Sequence, residues 1–234
     1  MDLRAFVSRW HERFEIWTLA AMVGFAMAVW AFIEVADEVV EGESHATDSR
    51  VLLALRNADD LSDPIGPLWV EELGRDFTAL GGVGVLTLLT ISVAGYLWLV
   101  RKVRAMLLVL GAIGSGLLAS TLLKQAFDRT RPDLVPHDSL VYTASFPSGH
   151  SMMAAITYLT LAALLARVQS ERSTKVYFLV LAVIITVAVG ASRVYLGVHW
   201  PSDVLAGWAV GASWALLFWL LARWLQERGQ VEKE

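Results

Sequence analysis

Apolar positions gather in six stretches of this chain, each long enough to cross a bilayer core of roughly 30 Å as a helix. They lie near Ile16–Val35, Leu80–Val100, Ala105–Leu123, Ser151–Val168, Val176–Ser192 and Val204–Leu225. The pattern predicts an all-α fold class, a polytopic six-transmembrane-helix bundle. The first stretch runs on into acidic sequence without a clear cleavage site, so it reads as a retained helix rather than a signal peptide. Between the first two stretches, from about 36 to 79, polar positions dominate. Within that segment Val51, Leu52 and Leu55, and then Leu68, Trp69 and Leu73, recur at near-helical spacing and predict short helices lying at the interface. This segment is expected to cap the bundle, with a gate that admits lipid as the alternative. No repeat or second hydrophobic unit interrupts the pattern, so residues 1–234 read as one membrane-embedded domain.

Composition agrees with this pattern. Hydrophobic residues make up 56 % of the 234 and mean hydropathy is +0.54, against about 45–50 % apolar residues in an ordinary soluble domain. The net charge of −4 gives no reason to expect a nucleic-acid partner. Cysteine is absent, which excludes disulfides and thiolate metal sites. The ten tryptophans suit a chain with many membrane–water boundaries, although packing explains any one of them equally well.

The cations set an expected orientation. With the N-terminus in the cytoplasm, the cytoplasmic segments hold Arg4, Arg9, Arg13, Arg101, Lys102, Arg104, Arg167, Arg172, Lys175, Arg223, Arg228 and Lys233. That is the larger share of the lysines and arginines, so both termini are expected inside. The remaining seven are Arg50, Arg56, Arg75, Lys124, Arg129, Arg131 and Arg193. In this arrangement three polar blocks reach the same outer face: Lys124 with Arg131-Pro132, Pro147-Ser148-Gly149-His150, and Ser192-Arg193 with His199 and Asp203. Ionisable groups beside lipid are costly and tend to mark function, and their convergence on one face argues for one site.

The chemistry of those blocks suits a phosphate ester. Arg131 and Arg193 offer planar forks of N–H donors and Lys124 a point charge. Ser148 adds a hydroxyl, and Gly149 lets backbone approach an anion at a helix start. A carboxylate four residues after His199 can fix its tautomer and leave the other ring nitrogen to attack, and His150 can protonate the departing oxygen. Neither a metal nor an organic cofactor is called for by the residues present. Gly207 and Gly211 form a small-xxx-small pair read as packing within the bundle. His11, His45 and His137 lie outside the blocks; His137, in the outer loop, could reach a substrate, though loop histidines are by default solvated.

The spacing Lys-x6-Arg-Pro, Pro-Ser-Gly-His, Ser-Arg-x5-His-x3-Asp, running from Lys124 to Asp203, resembles the signature of the type 2 phosphatidic acid phosphatase family of integral-membrane lipid phosphatases. The segment Arg75–Gly82 is similar to bacterial members. The resemblance implies a metal-independent reaction in which His199 attacks phosphorus and forms a phosphohistidine, oriented by Asp203. His150 would protonate the leaving group and then activate water. Lys124, Arg131, Ser148, Gly149 and Arg193 would hold the phosphoryl oxygens, with Ser192 in support. It further implies a lipid phosphate or diphosphate substrate at the outer face of a bacterial inner membrane. Undecaprenyl diphosphate is the first expectation; phosphatidylglycerol phosphate, phosphatidic acid or lipid A, or transfer of the phosphoryl group to another lipid, are alternatives. A scaffold or transporter without catalysis is the remaining, non-enzymatic reading.

Overall fold

The computed structural model describes residues 3–133 and 143–228, with side chains from residue 16 onward. Eight helices follow one another without a strand among the described residues: α1 (Leu3–Glu41), α2 (Ser44–Leu53), α3 (Leu68–Leu80), α4 (Val83–Leu99), α5 (Val103–Phe127), α6 (Gly149–Val168), α7 (Arg172–Tyr195) and α8 (Pro201–Glu227). Five carry a stretch long and apolar enough to cross a membrane: Ile16–Glu41 of α1, then α5, α6, α7 and α8. The all-α membrane architecture expected from the hydrophobic pattern is present. His137 lies outside the described residues, as do the side chains of Arg4, Arg9, His11 and Arg13 and the whole of Lys233.

The second predicted span is present, with an attachment that the hydrophobic pattern does not foresee. The expected span over Leu80–Val100 is present as the single helix α4 (Val83–Leu99), but α4 is long and apolar enough to span only together with α3, which meets it at Gly81-Gly82 with a bend of 46°. At the junction a Cβ at Gly81 would fall 2.4 Å from Val189 Cγ1 and 3.3 Å from His150 Cβ, so only glycine fits where the chain meets α6 and α7. The first span also extends past its expected end, as α1 runs to Glu41. The two short helices expected near 51–55 and 68–73 are present as α2 and α3.

Helix α6 forms the centre of the bundle and packs on α5, α7 and α8, while α1 lies along α8. Small side chains make this close approach geometrically possible. A Cβ at Gly207 would come within 2.8 Å of the Ser148 carbonyl oxygen, and one at Gly211 within 2.5 Å of Ala155 Cβ and 2.7 Å of the Met152 carbonyl. Met152 and Ala155 on the opposing surface of α6 are buried. At the end of the bundle that gathers the polar blocks, Phe146 is fully buried and stacks on Phe32 of α1 at 6.1 Å. It also meets Phe127 at the end of α5 edge-on at 4.8 Å. This aromatic cluster fixes the loop before α6 against two helices.

The tryptophans divide between the two roles. Trp17, Trp30, Trp69 and Trp98 are exposed toward the surroundings of the bundle. Trp208 and Trp214 face inward, donating their indole N–H to the Thr186 carbonyl and the Ser115 hydroxyl at 3.0 and 3.1 Å.

Because Gly211 leaves no room for a side chain, Gly211→Leu is expected to lower stability by about 1–3 kcal/mol through overpacking. Thermal unfolding of the protein in detergent measures this; an unchanged midpoint would show that α6 and α8 do not pack this closely.

Candidate active site

Three local devices bring the polar blocks together. Helix α5 ends at Asp128, which takes a left-handed conformation (φ 41°) and turns the chain out of the helix toward Arg129 and Arg131. Helix α7 closes in a Schellman motif: Val198 N–H donates to the Arg193 carbonyl at 3.1 Å and Gly197 N–H to the Val194 carbonyl at 2.9 Å. Gly197 supplies the positive φ (74°) that this reversal requires. The motif brings His199 back beside Arg193, and Pro201 at the first position then starts α8. Helix α6 begins at Ser148, whose hydroxyl caps it by accepting from Ser151 Oγ at 3.0 Å and from Ser151 N–H at 3.5 Å.

At the centre lies Asp203, which has no exposed surface. Its Oδ2 accepts from Trp200 N–H at 2.9 Å, from the Ser145 hydroxyl, and from His199 Nδ1 at 3.2 Å. Its Oδ1 accepts from Arg129 Nη1 at 2.7 Å. The other ring nitrogen, His199 Nε2, lies 3.1 Å from Arg131 Nη1. A guanidinium nitrogen can only donate. The proton of His199 is therefore assigned to Nδ1, facing Asp203, and the lone pair to Nε2, facing the cations. That is the tautomer a nucleophilic imidazole needs.

The cations gather around this nitrogen. Arg131 also donates to the Val198 and Thr143 carbonyls at 2.8 and 3.0 Å. Lys124 donates to the Ala144 carbonyl, and Arg193 donates from Nη1 to the Thr78 hydroxyl at 2.7 Å. Arg193 Nε is buried and has no hydrogen-bond partner among the described residues, which leaves a donor that an anion could meet. Lys124, Arg131 and Arg193 all act electrostatically on His150 at the start of α6. A Cβ at Gly149 would lie 3.4 Å from Lys124 Cε. Lys124, Arg131, Ser148, Gly149, His150, Arg193, His199 and Asp203 thus share one end of the bundle. Ser192 bonds back to its own helix, to the Val189 carbonyl.

Sequence reasoning did not single out Arg129, Ser145, Asp48, Ser202 or Thr78. Arg129 joins Asp203 to Asp48 of α2, whose Oδ2 accepts from Arg129 Nη2 at 2.8 Å. Asp48 Oδ1 also accepts from Ser202 N–H at the start of α8, at 2.9 Å. His45, also on α2, lies edge-on to Trp200 at 5.3 Å. The two-residue offset of Arg129 from Arg131 was the one local signal available. The others depend on contacts distant in sequence.

Five comparisons bear on this arrangement. The profile of the PAP2 superfamily matches residues 104–227. Phosphatidylglycerophosphatase B of Bacillus subtilis is 37 % identical over 177 residues, covering 72 % of this chain and 83 % of that protein. The lipid A 1-phosphatase of Rhizobium etli is 34 % identical over 66 % of this chain and 74 % of its own. An undecaprenyl-diphosphatase of Sulfolobus acidocaldarius is 40 % identical over 70 residues, 30 % of this chain and 29 % of its own. Among solved structures, the transmembrane PAP2-type phosphatidylglycerolphosphate phosphatase from Bacillus subtilis superposes with a TM-score of 0.73 at 29 % identity, over 87 % of this chain and 96 % of that one.

Burial lowers the pKa of His199 to about 3, opposed by its hydrogen bond to Asp203 and reinforced by the charges of Arg131 and Arg193. The folded imidazole therefore stays neutral where the unfolded one, with a pKa of about 6.5, takes up a proton. Stability is expected to fall as pH drops below about 6.5, where the unfolded state binds the extra proton. Histidine NMR in micelles should find the His199 ring neutral and Nδ1-protonated from about pH 8 down to about pH 5. A titration midpoint near 6.5 would contradict this environment.

Proposed function

The chain belongs to the PAP2 superfamily and is a membrane lipid phosphatase; from that premise we propose that it hydrolyses the terminal phosphomonoester of phosphatidylglycerol phosphate through a phosphohistidine at His199. The observation that carries the chemistry is the placement of His199, with Nδ1 on Asp203 and the lone pair of Nε2 beside Arg131. Nε2 attacks phosphorus, the bond from phosphorus to the lipid oxygen breaks, and protonated His150 delivers its proton to that oxygen, releasing the lipid alcohol. Neutral His150 then takes a proton from water, the water oxygen attacks phosphorus, the N–P bond breaks, and inorganic phosphate leaves. Lys124, Arg131, Ser148, Gly149 and Arg193 stabilise charge on the phosphoryl oxygens in both steps. No metal enters either step.

The substrate assignment rests on the comparisons. The Bacillus phosphatidylglycerophosphatase matches over most of both chains in sequence, and the solved phosphatase of that type matches in fold. The relative named for undecaprenyl diphosphate, the lipid first expected from the motif, matches over less than a third of this chain. The weight therefore moves to phosphatidylglycerol phosphate. The lipid A 1-phosphatase relative supports a second reading, removal of a phosphate from lipid A. The charge distribution supports an outward-facing site in a bacterial inner membrane with both termini inside.

Turnover of purified protein on phosphatidylglycerol phosphate, lipid A, phosphatidic acid and undecaprenyl diphosphate tests the reading. Phosphatidylglycerol phosphate is expected to give the highest kcat/KM, and His199→Ala to reduce phosphate release at least about a thousandfold. Faster turnover of undecaprenyl diphosphate would overturn the substrate. Phosphate release undiminished in His199→Ala would overturn the mechanism. Label passing to an added lipid alcohol rather than to water would identify a phosphotransferase.

A further inference from the structure

Asp203 is not the only buried carboxylate near His199. Asp48, on α2 in the acidic segment between the first two spans, is 2 % exposed and lies on the far side of Arg129. The two nitrogens at the tip of that guanidinium are divided between the carboxylates: Nη1 to Asp203 Oδ1 at 2.7 Å, Nη2 to Asp48 Oδ2 at 2.8 Å. Hydroxyls of Ser202 and Ser44 accept from the same two nitrogens at 2.7 and 3.3 Å, and the guanidinium carbon lies 5.6 Å from the centre of the Trp200 ring. The Ser202 hydroxyl also donates to Asp48. Arg129 is thereby held from both ends and one face, and Asp48 is buried with its charge paired and its oxygens engaged.

We propose that Asp48 and Arg129 are positioning residues for the nucleophile, with Asp48 sharing the charge of Arg129 so that Asp203 keeps its hold on His199 Nδ1–H. The inference rests on His199 being the attacking group. Its basis is charge balance in a poorly solvated site. Arg129 paired with Asp203 alone would largely neutralise that carboxylate, weakening it as an acceptor for the imidazole. With Asp48 on the other fork, two carboxylates face one guanidinium and the cluster carries a net charge of −1 next to His199. That charge favours the positive charge the ring acquires as Nε2 bonds phosphorus. The same geometry fixes Arg129, which anchors the loop leading to Arg131, since Ser145 N–H donates to the Arg129 carbonyl at 2.8 Å. The acidic segment is on this account part of the catalytic machinery as well as a cover over it.

A purely structural role for Asp48 is separable. Its Oδ1 caps α8 by accepting from Ser202 N–H, and Asp48→Asn keeps an acceptor for that bond while removing the charge. In that variant kcat for the lipid phosphate is expected to fall about ten- to a hundredfold, the cost of a slightly misplaced reacting group, with KM within about twofold of wild type. Arg129→Lys, which keeps the charge but cannot fork between two carboxylates, should show the same split between kcat and KM. This second variant keeps the test valid if Asp48→Asn does not fold. In a double-mutant cycle, Asp48→Asn added to Arg129→Gln should cost little more than Arg129→Gln alone. An unchanged kcat in Asp48→Asn or Arg129→Lys, or costs that multiply in the double variant, would overturn the proposal. His199→Ala, assayed alongside, separates the two levels. If it is inactive while Asp48→Asn retains full kcat, this inference alone fails; if it retains activity, the nucleophile reading fails and this inference with it.

Discussion

Asp203 is a carboxylate without exposed surface at the end of a helix bundle, and the surrounding arrangement follows from what such burial demands. An unpaired buried charge costs several kcal/mol, so each of its oxygens must be met by donors. Those donors come from separate parts of the chain: the imidazole of His199, the amide of Trp200, the hydroxyl of Ser145 before α6, and the guanidinium of Arg129 after α5. Satisfying one side chain therefore sets the relative positions of the segments flanking α5, α6, α7 and α8. Its place in the first turn of α8 adds the favourable end of the helix dipole. Ser148 N–H reinforces the same junction by donating to the backbone carbonyl of Asp203 at 2.9 Å.

The cations are held differently according to what they must do. Arg129 spends its charge on two carboxylates. Lys124, Arg131 and Arg193 are held among the described residues by neutral oxygens: the carbonyls of Ala144, Val198 and Thr143 and the hydroxyl of Thr78. Neutral acceptors fix a cation's position without cancelling its field. Three positive charges with no directly paired carboxylate among the described residues repel one another, and an anion with several acceptor oxygens relieves that repulsion. In the proposed mechanism the same field also faces His150, the residue proposed to donate to the leaving oxygen.

Much of this was legible in the sequence because the roles are carried by residue types at short, fixed spacings. His199 and Asp203 stand one helical turn apart, Arg193 and His199 are joined by a turn that needs Gly197, and alternating spans bring the three blocks to one face. What escaped notice depended on contacts across the chain. Asp48 is one of many acidic residues in its segment, and its partners Arg129 and Ser202 lie 81 and 154 positions away. Ser145 has no local mark. The junction at Gly81-Gly82 falls where the polar segment was expected to give way to the second span, but the 46° angle between α3 and α4 has no local mark. The identity of the lipid depends on groove shape, which local pattern does not encode, and here similarity to characterised relatives carried more weight than motif.

The central claim is that His199 Nε2 becomes covalently bonded to phosphorus. Rapid mixing of the protein with stoichiometric radiolabelled phosphatidylglycerol phosphate, followed by an alkaline quench and peptide mapping, tests this directly. The account predicts a label that is stable in alkali, labile in acid and located on His199, appearing before inorganic phosphate within the first turnover. Label on another residue, or a first turnover that releases phosphate with no labelled protein at any time, would contradict it.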